Sequence, residues 1–402
     1  MIVGFKRACP ICGEKEGEVL HSQELATPVE LAAPELIEIV VCDSCGMCFS
    51  DIAVAQDSLD IAYADHSKYA DTSMYAEEIA DSDLPKDARW DLDRLEGTAR
   101  WLATRIPVTA RVLDAGCATG ALIRFLQNAG FGDIVGLDPS PVAAATVERS
   151  TGMRAVAGSI FRPPDDLGDF DLVVLSHVLE HLLDVQGAVE GLRSLVKAGG
   201  LVYVEVPDAE CYGEHLVAPF HDFNTEHVNH FSGVLLDRLF SSAGFMTREI
   251  GRKEVFIAAT ATYPAVFGLF ERSTLSDVPI DWQRDDDLAP ALRSYVDASE
   301  TLMAQFGARV HGEVGDGPIV LWGAGQLTMK LLTGPLVDIP IEALVDTSRD
   351  KWGMRLGRHQ VVGPDEIASS DAPILIASVH HQTAISVEIA RRYPGRRVVT
   401  LR

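Results

Sequence analysis

The chain has 402 residues, of which 47% are hydrophobic, and this length predicts two or three domains with substantial cores. The 59 acidic residues outnumber the 34 basic ones and give a formal net charge of −25, which argues against a large face for nucleic acid or an anionic membrane. No run approaches the ~20 apolar residues of a membrane span, and the apolar part of the N-terminus is too short for a signal peptide, so we expect a cytoplasmic protein without nucleic-acid or membrane partners.

Four of the seven cysteines form two Cys-x-x-Cys pairs near the N-terminus. Cys9 and Cys12 make the first pair, Cys42 and Cys45 make the second, and a glycine follows each pair. The two-residue spacing directs both thiolates at one ion, and four thiolates at ~2.3 Å make a closed tetrahedral zinc site. We expect one structural zinc per chain; iron, redox-active thiols, and Cys48 in place of Cys45 remain alternatives.

The next segment is polar and ends in a helical pattern. Trp90 and Trp101 fall on one side of a predicted amphipathic helix from Asp87 to Arg105, which would cover the edge of the following domain. Tyr63 and Tyr69 are candidates for a lid over an active site. The alternative is that these two tyrosines only pack.

A strand ending at residues 112–113 is followed by a glycine bend and then by an apolar-periodic helix. Gly116 and Gly120 let backbone approach a ligand, and a second strand ends in Asp138. This order predicts a nucleoside-binding unit in which the final acid accepts hydrogen bonds from ribose hydroxyls. Asp114 precedes the first glycine and would repel a pyrophosphate, so a cationic ligand such as a sulfonium nucleoside is favoured. A Rossmann unit for another nucleotide is the alternative.

The bend resembles the first motif of class I S-adenosylmethionine-dependent methyltransferases, with Asp138 in the position of their ribose-binding acid. Ser159 stands where that family usually has an acid for the adenine amine. The segment Ser176–His181 resembles the family's segment beside the methyl group or the carboxylate end of the cofactor. The resemblance implies S-adenosylmethionine as cofactor. The cofactor-binding residues it implies are Asp114, Ala115, Gly116, Cys117, Gly120, Asp138, Pro139, Ser159, Ser176 and His177.

Alternating strands and helices predict an α/β fold with a mostly parallel, doubly wound sheet. Within it we expect a helix over Leu195–Gly200 and a strand over Leu201–Val206. Ligands of such sheets bind outside the carboxyl ends of the strands.

Polar and titratable residues are concentrated between His221 and Ser232. One interpretation is a metal site from His227 and His230, which would share a face if the segment were helical. A second is a polar surface hairpin. The third makes His227 a general base oriented by Glu226, with His221, Asn229 and His230 among the residues that hold a substrate.

The order of a four-Cys knuckle, a methyltransferase domain and a Glu-His segment resembles the nucleotide-sugar C-methyltransferases of deoxysugar biosynthesis. In that family a Tyr-x-Glu-His segment supplies a Tyr, a Glu and a His base, and Glu226 and His227 match the last two. Asn224 occupies the Tyr position and is a candidate to donate its amide to an oxyanion. His181 is a further candidate base, its alternative role being to shape the pocket.

A second strand–glycine turn–helix–strand–acid unit begins near residue 318 and ends in Asp346. It resembles the C-terminal domain of the same sugar methyltransferases, which helps to clamp the nucleotide end of the substrate. The resemblance makes Gly323, Ala324, Gly325 and Lys351 candidate substrate-binding residues.

The expected fold is therefore a class I methyltransferase Rossmann-like domain with an N-terminal zinc-binding module and a second, C-terminal Rossmann-like α/β domain. The predicted divisions are a zinc module (1–60), a helical linker or lid (61–110), the methyltransferase domain (111–262), a helical linker (263–315) and a substrate-binding domain (316–402).

The expected activity is methyl transfer to a nucleotide-linked keto-deoxysugar, by C-methylation through an enolate with His227 as base. One alternative is an O- or N-methyltransferase acting on a sugar of a surface polysaccharide or natural product. The other is a non-catalytic nucleotide-sugar-binding or scaffold protein. The sequence leaves the oligomeric state open between monomer and dimer.

Overall fold

The computed structural model describes residues 2–28, 35–54, 56, 90–258, 261–273 and 283–401. The predictions for Tyr63 and Tyr69 lie outside these residues, so the lid remains a prediction.

The strands are, in chain order, β1 (Ile2–Gly4), β2 (Glu16–Glu24), β3 (Leu36–Cys42), β4 (Cys48–Ser50), β5 (Arg111–Ala115), β6 (Asp133–Asp138), β7 (Arg154–Ala157), β8 (Phe170–Ser176), β9 (Val196–Pro207), β10 (Asn229–His230), β11 (Phe245–Ala258), β12 (Ala261–Arg272), β13 (Ile319–Trp322), β14 (Ile341–Val345), β15 (Arg355–Leu356), β16 (His359–Val362), β17 (Ile374–Ile376) and β18 (Val398–Thr400). The α-helices are α1 (Trp90–Ala103), α2 (Ala121–Asn128), α3 (Pro141–Thr151), α4 (Val185–Leu195), α5 (Gly233–Ser242), α6 (Leu288–Val314), α7 (Gln326–Thr333) and α8 (Gln382–Arg392). None of these helices is both long and apolar enough to cross a membrane.

The central sheet has seven strands in the order β11-β12-β9-β8-β5-β6-β7. Strands β5 to β9 run parallel, and β12 is antiparallel to both of its neighbours. Val112 and Leu113 of β5 are fully buried, as a parallel strand covered on both faces requires. The predicted α/β class is therefore confirmed.

The C-terminal domain forms a six-stranded sheet in the order β15-β16-β14-β13-β17-β18, with parallel pairing from β16 to β18. It is joined to the rest of the chain by α6. One cluster of buried apolar residues runs without a break from Phe5 through Val204 to Leu375, so the modules share a core.

The five-stranded N-terminal sheet has the order β1-β2-β3-β4-β10. Its last strand, β10, comes from the end of the segment His221–Ser232, which we call the histidine segment. Asn229 pairs with Phe49 and His230 pairs with Cys48. The cysteine-bearing module thus holds the residues that directly follow His227.

Two predicted boundaries are wrong. The expected helix over Leu195–Gly200 is strand from Val196 onward, because α4 ends at Leu195 and the chain pairs with β8 from Val196. The predicted domain end at residue 262 falls inside β12, so the central sheet reaches Arg272 and the start of the predicted linker is a strand.

Arg7 joins the N-terminal module to the histidine segment. Its guanidinium donates to the carbonyls of Ser50 (2.9 Å) and Val228 (2.8 Å) and to the side chain of Asn229 (2.9 Å). Its Cζ lies 4.7 Å from the centre of the Phe49 ring. The two carbonyls also accept backbone amides, from Ile52 and Ser50 respectively, so Arg7 adds charge-assisted hydrogen bonds to a junction that is already paired.

We predict that Arg7→Gln lowers the free energy of unfolding by about 2–4 kcal/mol, because several charge-assisted hydrogen bonds are lost at a buried position. Denaturant titration measures the change. The matched control is Arg154→Gln, which breaks only the exposed pair with Asp166 and should cost below about 1 kcal/mol. Equal stability of the two variants would contradict the junction role.

Candidate functional site

The four predicted zinc ligands come together. Sγ of Cys9 lies 3.4 Å from Sγ of Cys45, and Sγ of Cys12 lies 3.5 Å from Sγ of Cys42. A tetrahedron of Zn–S bonds of about 2.3 Å has edges of about 3.8 Å, so the donor set fits this ion. Cys48 is outside the four-sulfur group and contacts the carbonyl of Gly46 instead.

The glycine bend between β5 and α2 has the conformation its sequence predicts. Gly116 and Gly120 adopt φ of 81° and 88°, a left-handed region where a side chain is strained. The amide of Ala118 donates to Oδ2 of Asp138, and the amide of Ser140 donates to Oδ1, both at 2.9 Å. The Asp138 carboxylate is therefore held at the rim of the bend.

Asp114 is a buried carboxylate at the end of β5, with 2% exposure. Its Oδ2 has no hydrogen-bond partner among the described residues. Burial, and next the nearby charge of Asp138, raise its pKa to about 7, while Arg94 acts in the opposite direction. A cation placed beside Asp114 would stabilise the ionised form, so the residue suits a positively charged ligand.

The other predicted cofactor residues surround this bend. Ala115 and Cys117 are buried, and Cys117 accompanies Gly116 in donating its amide to the carbonyl of Leu137. Pro139 is exposed, and Oγ of Ser159 accepts from the amide of Phe161 at 3.3 Å.

Ser176 and His177 lie in a charge network that sequence reasoning missed. Arg94 of α1 donates to Oγ of Ser176 (2.6 Å) and to Oε1 of Glu205 (3.0 Å), whose side chain is fully buried. Nε2 of His177 lies 3.3 Å from the same carboxylate, and His177 has φ of 56°. Arginines and glutamates far apart in sequence carry no local signal of such a pairing.

The bend also contacts the segment after β8. A Cβ built on Gly116 would lie 2.6 Å from Cγ2 of Val178, so only glycine fits there. Two residues further on, the carbonyl of Glu180 accepts from the amide of Val228 at 2.8 Å. This chain of contacts sets the glycine bend next to the histidine segment.

Asn224 organises the turn that presents Glu226 and His227. Its Oδ1 accepts from their amides at 2.8 and 2.9 Å, and its Nδ2 donates to the carbonyl of His221 at 3.2 Å. These bonds use the amide group locally, so the expected donation to an oxyanion has a competitor and stays a prediction.

His227 faces Glu180 and His181, and a donor atom of each lies within 4.8 Å of the others. Burial, and then the imidazoles of His181 and His230, lower the pKa of His227 well below its usual value, so the ring is neutral at pH 7. The predicted partner Glu226 is exposed and offers its backbone carbonyl to His181. The carboxylate beside His227 is therefore Glu180. In the sequence Glu180 and His181 form a Glu-His pair after β8, and that pair is the signal that could have identified Glu180.

Two predicted substrate-binding residues, Asn229 and His230, are buried in the N-terminal sheet, and their contact with a substrate stays a prediction. Asn229 donates to the carbonyl of Leu179 at 3.0 Å, and His230 is fully buried with its ring 4.8 Å from that of Phe223. The proposed His227–His230 metal site is wrong, because His230 belongs to β10 and the segment before it is not helical. The surface-hairpin interpretation is wrong as well, since residues 228–231 are buried.

His221 lies at the junction with the C-terminal domain. Its ring centroid is 5.0 Å from that of His380 and 6.3 Å from that of Tyr263, and burial and Lys330 lower its pKa to about 4. In the same segment, Oγ1 of Thr225 accepts a hydrogen bond from the side chain of Gln326 at 2.7 Å. The C-terminal glycine turn thus abuts the histidine segment.

That turn repeats the bonding of the first bend. The amide of Ala324 donates to Oδ2 of Asp346 (2.8 Å), and the amide of Ser348 donates to Oδ1 (2.9 Å). Gly323 has φ of 111°, and Gly325 precedes α7 without a side-chain cap. Lys351 lies 2.9 Å from Oδ2 of Asp346, so this acid, unlike Asp138, is paired with an internal cation.

The sequence profile of a protein family described as "Methyltransferase domain" matches residues 39–250, more than half of the chain. Ubiquinone biosynthesis O-methyltransferase of Methylocella silvestris is 34% identical over 123 residues, which are 27% of this chain and 45% of that protein. Ribosomal protein L11 methyltransferase of Burkholderia thailandensis is 33% identical over 104 residues, which are 25% of this chain and 33% of that protein. The chain therefore spans less than half the length of these curated relatives.

Among solved structures, magnesium protoporphyrin IX methyltransferase of Synechocystis with bound S-adenosylhomocysteine has a TM-score of 0.41 and 17% identity, over 54% of this chain and 100% of that one. The 1,6-didemethyltoxoflavin-N1-methyltransferase of Burkholderia thailandensis has a TM-score of 0.40 and 15% identity, over 59% of this chain and 96% of that one.

We predict that Cys45→Ser loses the zinc ion of the four-cysteine site and so lowers the zinc content of the purified chain by one ion, whereas Cys48→Ser leaves the zinc content unchanged. The two cysteines are both buried, but only Cys45 belongs to the four-sulfur group. Metal analysis by plasma mass spectrometry measures the difference. A zinc content of Cys45→Ser equal to that of the unmodified chain would show that Cys48, or no fourth thiolate, completes the site.

Proposed function

The chain belongs to the methyltransferase-domain family, and on that premise we propose that it transfers the methyl group of S-adenosylmethionine to a nucleotide-linked sugar. The single observation that carries the cofactor assignment is Asp114, a buried carboxylate with one oxygen unpaired among the described residues, beside a glycine bend. When bound, S-adenosylmethionine supplies a methyl group on a sulfonium, which is already a good electrophile. The protein then has to align an acceptor and unmask its nucleophile.

The residues of the bend divide the binding of this cofactor among them. Asp114 suits the positive charges of the ligand, and Asp138 suits hydrogen bonds from ribose hydroxyls. The α2 helix begins at Ala121, and Gly120 before it provides no side-chain cap, so the first amides of the helix remain available to a ligand.

A zinc ion in the four-cysteine site would have a structural role, because four thiolates leave no open position on the metal. Its contribution to the activity is indirect. It would fix the sheet that carries β10 and so hold His227 near Glu180 and His181.

The nucleotide-sugar assignment is supported by the resemblance of the Glu226–His227 segment and by the second glycine turn, which lies against that segment through Gln326 and Thr225. In the carbon route, His227 accepts the proton next to a ketone of a keto-deoxysugar. Its neutral ring has the protonation state this requires, and the nearby Glu180 carboxylate would stabilise the imidazolium that forms.

Methyl transfer to a sugar oxygen or nitrogen is the second candidate, and the surroundings of Asn224 favour it. The amide of Asn224 is engaged in the turn where the sugar C-methyltransferases have a phenol, so its donation to an enolate oxygen competes with these local hydrogen bonds. Transfer to oxygen needs no enolate. Identification of the methylated atom in the product separates the two routes.

We predict that the affinity for S-adenosylmethionine rises from about pH 6 to about pH 8, by up to ~10-fold for each pH unit below the raised pKa of Asp114, because the ionised carboxylate prefers a cation. Asp114→Asn should weaken binding by more than ~10-fold at about pH 8 and flatten this dependence. Isothermal calorimetry is the measurement, with Asp166→Asn as the exposed control. A flat profile in the unmodified chain, or unchanged affinity in Asp114→Asn, would contradict the assignment.

We predict that His227→Asn lowers turnover of a sugar nucleotide by roughly 10²–10⁴ while the affinity for S-adenosylmethionine stays within about twofold, since acceptor activation and cofactor binding use different residues. His311→Asn, on the exposed side of α6, is the matched control. The proposal fails if His227→Asn turns over like the control.

A further inference from the structure

We propose that Glu180, His181 and His227 form a second metal site, separate from the four cysteines, that takes one divalent transition-metal cation. One donor atom from each of these residues lies within 4.8 Å of the others. One carboxylate and two imidazoles are a donor set used for Zn²⁺, Mn²⁺ and Fe²⁺, and three protein ligands leave coordination positions open.

His181 is oriented with one ring nitrogen towards the cluster. Its Nδ1 lies 3.0 Å from the carbonyl oxygen of Glu226. A carbonyl only accepts, so Nδ1 is the donor in this bond and Nε2 is the ring atom on the side of Glu180. Nε2 lies 3.8 Å from Oε1 of Glu180, on the side of the cluster. Metal-binding histidines are commonly oriented by such a bond to a backbone carbonyl.

His227 supplies an independent indication of a ligand. Its Nδ1 is buried and has no hydrogen-bond partner among the residues that the structure describes. Buried ring nitrogens are normally paired, and a metal ion is one of the partners that can satisfy them. Asn224 accepts a hydrogen bond from the backbone amide of His227 and so fixes the backbone from which the ring projects.

Glu180 supplies the negative charge of the proposed metal site. Its side chain is 1% exposed, and Oε1 lies 3.0 Å from Nδ1 of His177. His177 in turn lies 3.3 Å from the fully buried Glu205, which Arg94 and Lys253 neutralise. This outer network orients the Glu180 carboxylate, as the surroundings of metal ligands do.

The site lies where an acceptor would meet the methyl donor, and the inference rests on the proposed function for its role. Val178 contacts Gly116, and the His181 side chain is 19% exposed, so the cluster is both near the bend and accessible. The open positions on the cation suit a water molecule or an acceptor oxygen. A cation at this site would take a ring nitrogen of His227 as a ligand, so the carbon route with His227 as base applies only to the metal-free site. Cation binding therefore favours an oxygen that contacts the metal.

The test is a titration of the full-length chain with MnCl₂ after its zinc content has been measured, followed by calorimetry and by electron paramagnetic resonance of free Mn²⁺. Mn²⁺ prefers oxygen and nitrogen donors, so the cysteine site does not compete. We expect one Mn²⁺ per chain. Glu180→Gln and His181→Asn should each weaken its binding by more than ~10-fold, and His311→Asn should leave it unchanged.

Binding of S-adenosylmethionine, measured on the same samples, shows that each variant is folded and keeps the two proposals apart. Because His181 is partly exposed, His181→Asn is the variant expected to fold if Glu180→Gln does not. A chain that binds S-adenosylmethionine but no Mn²⁺, or that binds Mn²⁺ equally well with His181→Asn, overturns the metal site and leaves the proposed function standing. Mn²⁺ binding that depends on His181 supports the site even if the cofactor assignment fails.

Discussion

The pairing of β10 with β4 is the constraint on which the candidate site depends. Through this pairing, β10 of the histidine segment becomes the edge strand of the N-terminal sheet. Arg7 donates hydrogen bonds at the junction to the carbonyl of Val228 and to the side-chain oxygen of Asn229. Asn229 and His230 are therefore buried for structural reasons, and His227, just before them, is left facing Glu180 and His181. A closed four-thiolate metal site would in this way help to position His227, the residue proposed as the base, without contacting it as a ligand.

The two glycine turns show how one backbone arrangement can be given different charges. In both turns, the carboxylate after the second strand accepts two hydrogen bonds. One comes from an amide of the turn, and the other comes from the amide two residues after the acid. Around the first turn Asp114 adds a second buried carboxylate without a cation paired to it in the described structure, whereas Lys351 neutralises Asp346 at the second. The first turn thus suits a cationic nucleoside, and the second suits a neutral or anionic group.

The sequence was informative where the signal is local. The cysteine spacing, the bend from Asp114 to Gly120 and the acid Asp138 each follow from neighbouring residues, and the structure brings each set together. Prediction failed where residues distant in sequence decide the outcome. The Glu205–Arg94 pair, the β10 pairing and the replacement of Glu226 by Glu180 beside His227 are tertiary contacts with no periodicity to reveal them. The strand from Val196 was missed because its glycines resemble a helix end, although pairing with β8 overrides that preference.

The most direct test of the account is hydrogen–deuterium exchange of the chain before and after its zinc is removed by a chelator. The account predicts that the amides of residues 224–231 lose protection together with those of β3 and β4, while β5 and β6 around the glycine bend keep theirs. Unchanged protection of residues 224–231 in the zinc-free chain would contradict the claim that the cysteine module holds the histidine segment in place.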